Sequence, residues 1–156
     1  MKNVTKLIIS IVICEVIGLI GSVFTIPSIG SWYTGLQKPG FTPPNWAFAP
    51  VWTTLFLLMG ISLYFLVEKG IRRGVRTGLV IFGAQLALNL IWSILFFGLH
   101  NIFFALVEIV VLWIVILVTI ICFWRIRRVA GYLLVPYICW VTVAALLNYY
   151  IWILNP

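Results

Sequence analysis

The sequence predicts an all-α integral membrane protein, a bundle of five transmembrane helices, and three observations lead there. Of the 156 residues, 64% are hydrophobic and 8% charged, with a mean hydropathy of +1.21, whereas soluble domains carry about 25% charged residues. Five apolar runs, at about 6–26, 46–66, 79–98, 103–124 and 131–153, have the length needed to cross the bilayer, which takes about 20 helical residues for roughly 30 Å of hydrocarbon. Residues 109–124, IVVLWIVILVTIICFW, are apolar on every face and lack the alternation of a membrane β-strand. The chain 1–156 therefore reads as a single membrane domain, with too little left over for a soluble one.

The first span follows Lys2 and Lys6, contains Glu15 and ends at Pro27 with no small-residue cleavage pattern, so it is expected to be retained rather than removed as a signal peptide. Residues 27–45 then form the longest connection, an aromatic lid. The 22 residues from Ser31 to Trp52 hold three of the eight tryptophans and four of the seven prolines. Pro44 fits the first turn of the second span, where its missing N–H costs nothing, with Thr42 as a cap. Pro50 and Pro136 are expected farther inside the second and fifth spans, where each removes a backbone bond and bends its helix. In the third span Gly83 and Ala87 are four residues apart, a spacing that lets another helix approach closely. Both a homodimer through this face and packing within the same bundle satisfy it. A tight connection at His100 and Asn101 makes the third and fourth spans antiparallel neighbours. Cys14, Cys122 and Cys139 lie inside spans without C-x-x-C spacing and are expected as small buried apolar residues, not as a disulfide or zinc site.

The net charge of +7 is organised by topology rather than by a nucleic-acid partner. Lys2, Lys6, Lys69, Arg72, Arg73, Arg76, Arg125, Arg127 and Arg128 fall on one side of a five-span chain, and only Lys38 on the other. That asymmetry places the amino terminus in the cytoplasm and the lid and carboxyl terminus outside. The basic clusters are expected to contact anionic membrane lipid.

Polar residues inside spans are functional suspects, because leaving them unpaired in lipid is costly. Glu15 and Glu108 are isolated from one another and make a poor proton relay; structural roles are expected for both. Gln85, Asn89 and Ser93 recur every fourth residue as a polar stripe beside Trp92. Trp52, Phe56 and Gly60 share one face of the second span, and Trp140, Ala144 and Asn148 one face of the fifth. Span directions put Trp52, Asn89, Trp92 and Asn148 in the outer half and Trp140 near the middle, so all five are expected to face one cavity beneath the lid. Its aromatic walls and few amides suit a planar, conjugated, apolar ligand with a polar edge. Trp32, Trp46, Trp124 and Trp152, near span ends, are expected in the interfacial belt. A haem needs an axial His, Met or Cys, and with His100 in a connection and Met59 without a partner a metal-free porphyrin fits better. No metal site, Ser-His-Asp set, phosphate loop or paired carboxylates are present, which argues against hydrolytic and phosphoryl-transfer chemistry.

The segments WYTGLQKP (32–39), PPNW (43–46), PVWTTLF (50–56), QLALNLIW (85–92), FFG (96–98) and PYICWVTVAALLNYYIW (136–152) resemble those of the tryptophan-rich sensory protein family, also called the translocator protein or peripheral-type benzodiazepine receptor family. The resemblance runs over nearly the whole chain. It implies a five-helix, commonly dimeric membrane protein that binds porphyrins and, in animal members, cholesterol and benzodiazepine-site drugs. Carried over by motif position, it implies a ligand pocket at Tyr33, Pro44, Trp52, Phe56, Asn89, Trp92, Trp140, Ala144 and Leu147. One departure bears on cholesterol. The animal pattern ends in a basic residue after a tyrosine, whereas here Ile153 follows Tyr149, Tyr150, Ile151 and Trp152, and no Lys or Arg occurs after Arg128. Cholesterol binding through that motif is not expected, and a bacterial cell membrane is the expected setting.

Three functions compete. The first is a membrane receptor or sensor for a tetrapyrrole such as protoporphyrin IX, with no cofactor required. The second, implied by bacterial members, is light-dependent oxidative degradation of the porphyrin, with Trp52 and Trp140 as the catalytic indoles. The third is porphyrin transport, against which sparse intramembrane charge and absent repeats argue.

Overall fold

The computed structural model describes residues 2–156 and contains five helical stretches long and apolar enough to cross a membrane, with no strand among the described residues. The helices are α1 (Lys2–Ile29), α2 (Phe48–Val67), α3 (Arg73–Ser93), α4 (Ile102–Ile126), α5 (Arg128–Leu133) and α6 (Val135–Leu154). Helices α5 and α6 together make the fifth span. A helix satisfies every backbone group within its own segment, which hydrocarbon demands. Packing places the spans in a ring: α1 meets α2, α2 meets α5, α5 and α6 meet α4, α4 meets α3, and α3 returns to α1.

Prolines set several boundaries differently from the sequence expectation. Helix α1 continues through Pro27 to Ile29, because its end is clamped to α3: Ser28 Oγ donates to the Phe97 carbonyl at 2.5 Å, and Phe24 lies against Gly98. Pro50 is not deep inside α2 as expected. It is the third residue of that helix, where its absent N–H would have had no partner. Pro44 precedes a short 3₁₀ turn, Asn45–Ala47, instead of sitting in the helix, and Thr42 caps nothing, its hydroxyl donating to the Pro39 carbonyl at 2.6 Å. Pro136 does interrupt the fifth span. Proline has no N–H to return to the carbonyl four residues back, that of Tyr132, and its ring crowds that carbonyl, so the chain breaks at Leu134, leaving Pro136 in the first turn of α6.

Helix α3 ends in a π-helical turn, Ile94–Gly98, closed by Leu99 N–H to the Ile94 carbonyl at 2.7 Å. His100 follows with φ +55°, and Asn101 caps α4 by accepting the Phe104 N–H at 3.1 Å. At the opposite end Arg127 pairs with Glu68 and lies 4.4 Å from the Phe65 ring centroid.

In the half of the bundle away from the lid the helices touch closely. A Cβ at Gly60 would lie 2.5 Å from the Ile11 Cα, and Ser62 Oγ donates to the Ala130 carbonyl at 2.7 Å, tying α2 to both α1 and α5. Phe82 and Phe123 stack at 5.5 Å between α3 and α4. In the half nearer the lid aromatic side chains fill the space between α2 and α6: Phe48 meets Trp140 at 6.2 Å and Trp52 meets Tyr137 at 6.4 Å. The candidate site lies in this half.

Candidate functional site

The lid is fastened to the bundle at two points, by Asn155 and His100, and braced within itself by Lys38. Asn155, just past α6, accepts the Gln37 N–H at 3.0 Å and donates to the Gln37 carbonyl at 2.9 Å. Lys38 Nζ donates to the Tyr33 and Leu36 carbonyls at 2.6 and 3.0 Å and sits 4.7 Å from the Tyr33 ring centroid. Trp32 stacks on His100 at 4.2 Å, and His100 Nε2 is 3.3 Å from Ser28 Oγ. Trp32 is thus a half-buried part of the latch and not a belt residue. Trp46, at 76% exposure, and the exposed Trp124 and Trp152 do lie on the outer surface of the bundle.

Two spaces lie under and beside this lid. The larger is a cleft of about 360 Å³ between α1, α2 and α3, lined by Trp52, Phe56, Asn89 and Trp92 among the residues expected from sequence. Ser93 and Glu15 line it too. The smaller space, about 20 Å³, is directly beneath the lid and is lined by Tyr33, Trp92, Trp140, Ala144, Leu147 and Asn148. The expected single cavity is therefore divided, with Trp92, Phe48 and Phe97 standing on the border of both spaces. Pro44 lines neither, and its neighbour Pro43 reaches the smaller one.

The amides have definite tasks. Trp92 Nε1 donates to Asn148 Oδ1 at 3.2 Å, and Asn148 Nδ2 donates to the Ile102 carbonyl at 3.0 Å, so this amide is already occupied in tying α3, α4 and α6 together. Asn89 Nδ2 donates to Tyr137 Oη at 2.9 Å while its side chain lines the cleft. Gln85, the third of the stripe, is 1% exposed and turns to Met59 Sδ at 3.7 Å, away from the cleft. Glu108, 9% exposed, has no hydrogen-bond partner on either carboxyl oxygen and lines neither space.

Two residues lining the smaller space carry buried, unpaired donors, Tyr33 Oη and Trp140 Nε1. An unsatisfied buried polar group costs about 1–3 kcal/mol, so an acceptor oxygen that reaches either one recovers that cost. Burial also pushes the Tyr33 hydroxyl up to about 12 and lowers the Lys38 ammonium.

Sequence reasoning missed the contribution of α1. Glu15, Gly18, Ser22, Thr25 and Ile29 line the cleft and recur at helical spacing as a stripe of small and polar residues, a signal the apolar surroundings hid. Phe48 and Phe97 were also missed, because nothing local distinguishes a partition from filler.

The same arrangement of segments is found in known proteins. A profile of the TspO/MBR family matches residues 10–153. The chain is 46% identical over 157 residues to the tryptophan-rich protein TspO of Chlorobaculum tepidum, covering 99% of each. It is 45% identical to that of Archaeoglobus fulgidus, over 98% of this chain and 99% of the relative. The translocator protein of Sus scrofa is 39% identical over 78% of this chain and 73% of its own. With near-complete coverage, five spans and the tryptophan-lined spaces beside the lid, the chain is a multi-pass membrane protein belonging to the TspO/MBR family.

Proposed function

We propose that this protein is a membrane receptor or sensor that binds a tetrapyrrole such as protoporphyrin IX. The observation that carries the reading is the 360 Å³ cleft with Trp52, Phe56 and Trp92 in its wall beside the Asn89 amide. That volume lies within the about 300–1,000 Å³ of small-molecule sites, and flat aromatic walls favour a conjugated ring. A metal-free macrocycle suits the residues better than haem, because His100 is held at the lid by Ser28 and Trp32 and Met59 is fully buried against Gln85. Small planar drugs of the benzodiazepine-site class suit the same walls. The amino terminus faces the cytoplasm in this reading, supported by the nine basic residues on that side.

Titration of the protein in lipid nanodiscs with protoporphyrin IX, followed by tryptophan quenching, tests it. Trp52→Phe weakens affinity about two- to tenfold, the equivalent of losing 0.5–1.5 kcal/mol of ring contact. Trp140→Phe weakens it only when the ligand extends into the closed space. Unchanged saturable quenching in both variants, or none in the parent, overturns the assignment.

A second reading is favoured by the presence of an indole on each side of the partition, Trp52 in the cleft and Trp140 behind it. Here the bound porphyrin is oxidised by dioxygen under illumination, with these indoles at the reacting centre. Loss of porphyrin absorbance under light no faster than in the Trp52→Phe/Trp140→Phe double variant rejects it.

A homodimer through α3 belongs to the same proposal. A Cβ at Gly83 would meet nothing within 4 Å, and Val80 and Ile91 beside it are 68% and 43% exposed. This face is left uncovered by the chain's own helices, which removes packing within the bundle as the reason for the small residues.

A further inference from the structure

We infer that the ligand reaches its site sideways from the outer leaflet, between the outer halves of α1 and α2, and that Phe48 and Phe97 form an inner door from the cleft to the closed space under the lid. This rests on the binding reading above and adds the route and the order of the two spaces.

Three of the four boundaries of the cleft are shut by contacts. On the inner side α1 and α2 are pinned together, since a Cβ at Gly60 would lie 2.5 Å from Ile11 Cα and one at Gly18 would lie 2.6 Å from Phe56 Cδ2. Between α1 and α3 the seam is closed by Gly21 against Ser93, Phe24 against Gly98 and the Ser28 bond to the Phe97 carbonyl. From above, the lid is held by Asn155 and the Trp32–His100 stack.

The fourth boundary is different. The close approaches at Gly60 and Gly18 hold α1 to α2; beyond Gly18 no glycine approach of this kind joins them among the described residues, and Ser22, Thr25 and Ile26 from α1 and Ala49, Trp52 and Thr53 from α2 line the same cleft. Ile26 is 68% exposed, and Ala49 and Thr53 are exposed as well. Two helices pinned at one end and unbridged at the other leave a slot in the wall of the bundle at the depth of the outer leaflet. Its mouth is apolar with hydroxyls beside it, which suits a membrane-dissolved planar amphiphile entering edge-on.

Inside, Phe48 and Phe97 each border both spaces and each packs on Tyr33, with centroids 5.8 and 5.9 Å away. Behind them wait the unpaired Tyr33 Oη and Trp140 Nε1. The acceptor edge of a carboxylate-bearing macrocycle passing the two phenyl rings reaches either donor, so the cleft is the first station and the closed space receives the polar edge.

The route is tested by bridging it. Ile26→Cys and Thr53→Cys are introduced together in a chain with Cys122→Ala and Cys139→Ala, leaving the fully buried Cys14. A reducible bis-methanethiosulfonate reagent joins the pair in nanodiscs, and stopped-flow tryptophan quenching follows transfer of protoporphyrin IX from vesicles. Association and release both slow about tenfold or more relative to the same variant before bridging, and reductant restores the rates. A Gln37→Cys/Asn155→Cys bridge across the lid leaves the rates within about twofold. Ala49→Phe, which narrows the mouth from α2 without any reagent, slows transfer in the same way. Unchanged rates with the mouth bridged, or slowing only when the lid is bridged, overturn the route while leaving binding intact. Absence of saturable quenching in the unbridged parent overturns the binding reading and this inference with it.

Discussion

Replacing glycines by alanine along the helices turns the packing into a graded measurement, and Gly60 is the sharpest case. Its added methyl carbon would sit 2.5 Å from the Ile11 Cα and 3.0 Å from the Ile11 nitrogen, both backbone atoms. Carbon atoms pack at about 3.5–4.0 Å, so α1 must retreat from α2 by about an ångström. Overpacking of that kind costs about 1–3 kcal/mol, and a contact with backbone belongs at the upper end because no rotamer relieves it. Alanine's better helix propensity returns up to about 1 kcal/mol, leaving Gly60→Ala about 2 kcal/mol less stable than the parent. Gly83→Ala meets nothing within 4 Å and is expected to be neutral or slightly stabilising in the monomer, so the two variants differ by about 2–3 kcal/mol. Gly18→Ala falls between them. Its Cβ meets Phe56 at 2.6 Å, a side chain that can swing aside at the expense of the cleft it lines, so this variant shifts ligand affinity more than stability. Equilibrium unfolding in mixed micelles, titrated with sodium dodecyl sulfate and read by tryptophan emission, gives all three values. Gly60→Ala and Gly83→Ala agreeing within about 0.5 kcal/mol, the scatter of surface substitutions, refutes the close approach of α1 and α2 on which the slot depends.

Tyr33→Phe removes an unpaired buried hydroxyl and leaves the ligand-free protein at least as stable at neutral pH, while weakening porphyrin binding; equal affinity in the variant shows that the hydroxyl meets no ligand atom. Between pH 10 and 12 the folded chain keeps the Tyr33 proton that the unfolded chain releases, so stability falls as pH rises through that window, and urea midpoints measured there fall less in Tyr33→Phe. Lys38 acts with the opposite sign, since its lowered ammonium means the unfolded chain binds the extra proton below the ordinary lysine range and stability rises with pH there; Lys38→Met isolates that contribution. Asn155→Ala cuts the lid from α6, and faster hydrogen exchange confined to residues 36–44 is expected by mass spectrometry. Blue-native electrophoresis of Gly83→Leu shows loss of the dimer if α3 is its interface, and an unchanged dimer rejects that face.

Much of this architecture was legible in the chain, and the failures share a cause. All five spans and the long aromatic connection followed from hydropathy and length, because those quantities add up locally along the sequence. Boundaries erred wherever a distant contact overruled a local rule: Pro27 lies inside α1 because Ser28 and Phe24 hold the helix end against α3. Pro50 was misjudged for a smaller reason, the helix beginning two residues before it. At the site, Trp52, Phe56, Asn89 and Trp92 were found by helical spacing and do line one cleft, whereas Tyr33, Trp140, Ala144 and Leu147 line another space. Helical spacing names the face a residue occupies but not what the neighbouring helix places opposite.

By itself the sequence determined that this protein is a five-span membrane bundle with an aromatic connection between its first two spans, since in hydrocarbon each helix must satisfy its own backbone and each apolar run declares itself. Only the tertiary structure decided that the aromatic region is two spaces with a partition between them, and that α1 is pinned at Gly18 and Gly60 yet unbridged beyond. The physical reason is that side-chain packing between helices depends on ångström-scale distances between residues far apart in the chain, and one methyl group's difference at a glycine sets whether two helices touch or leave a slot.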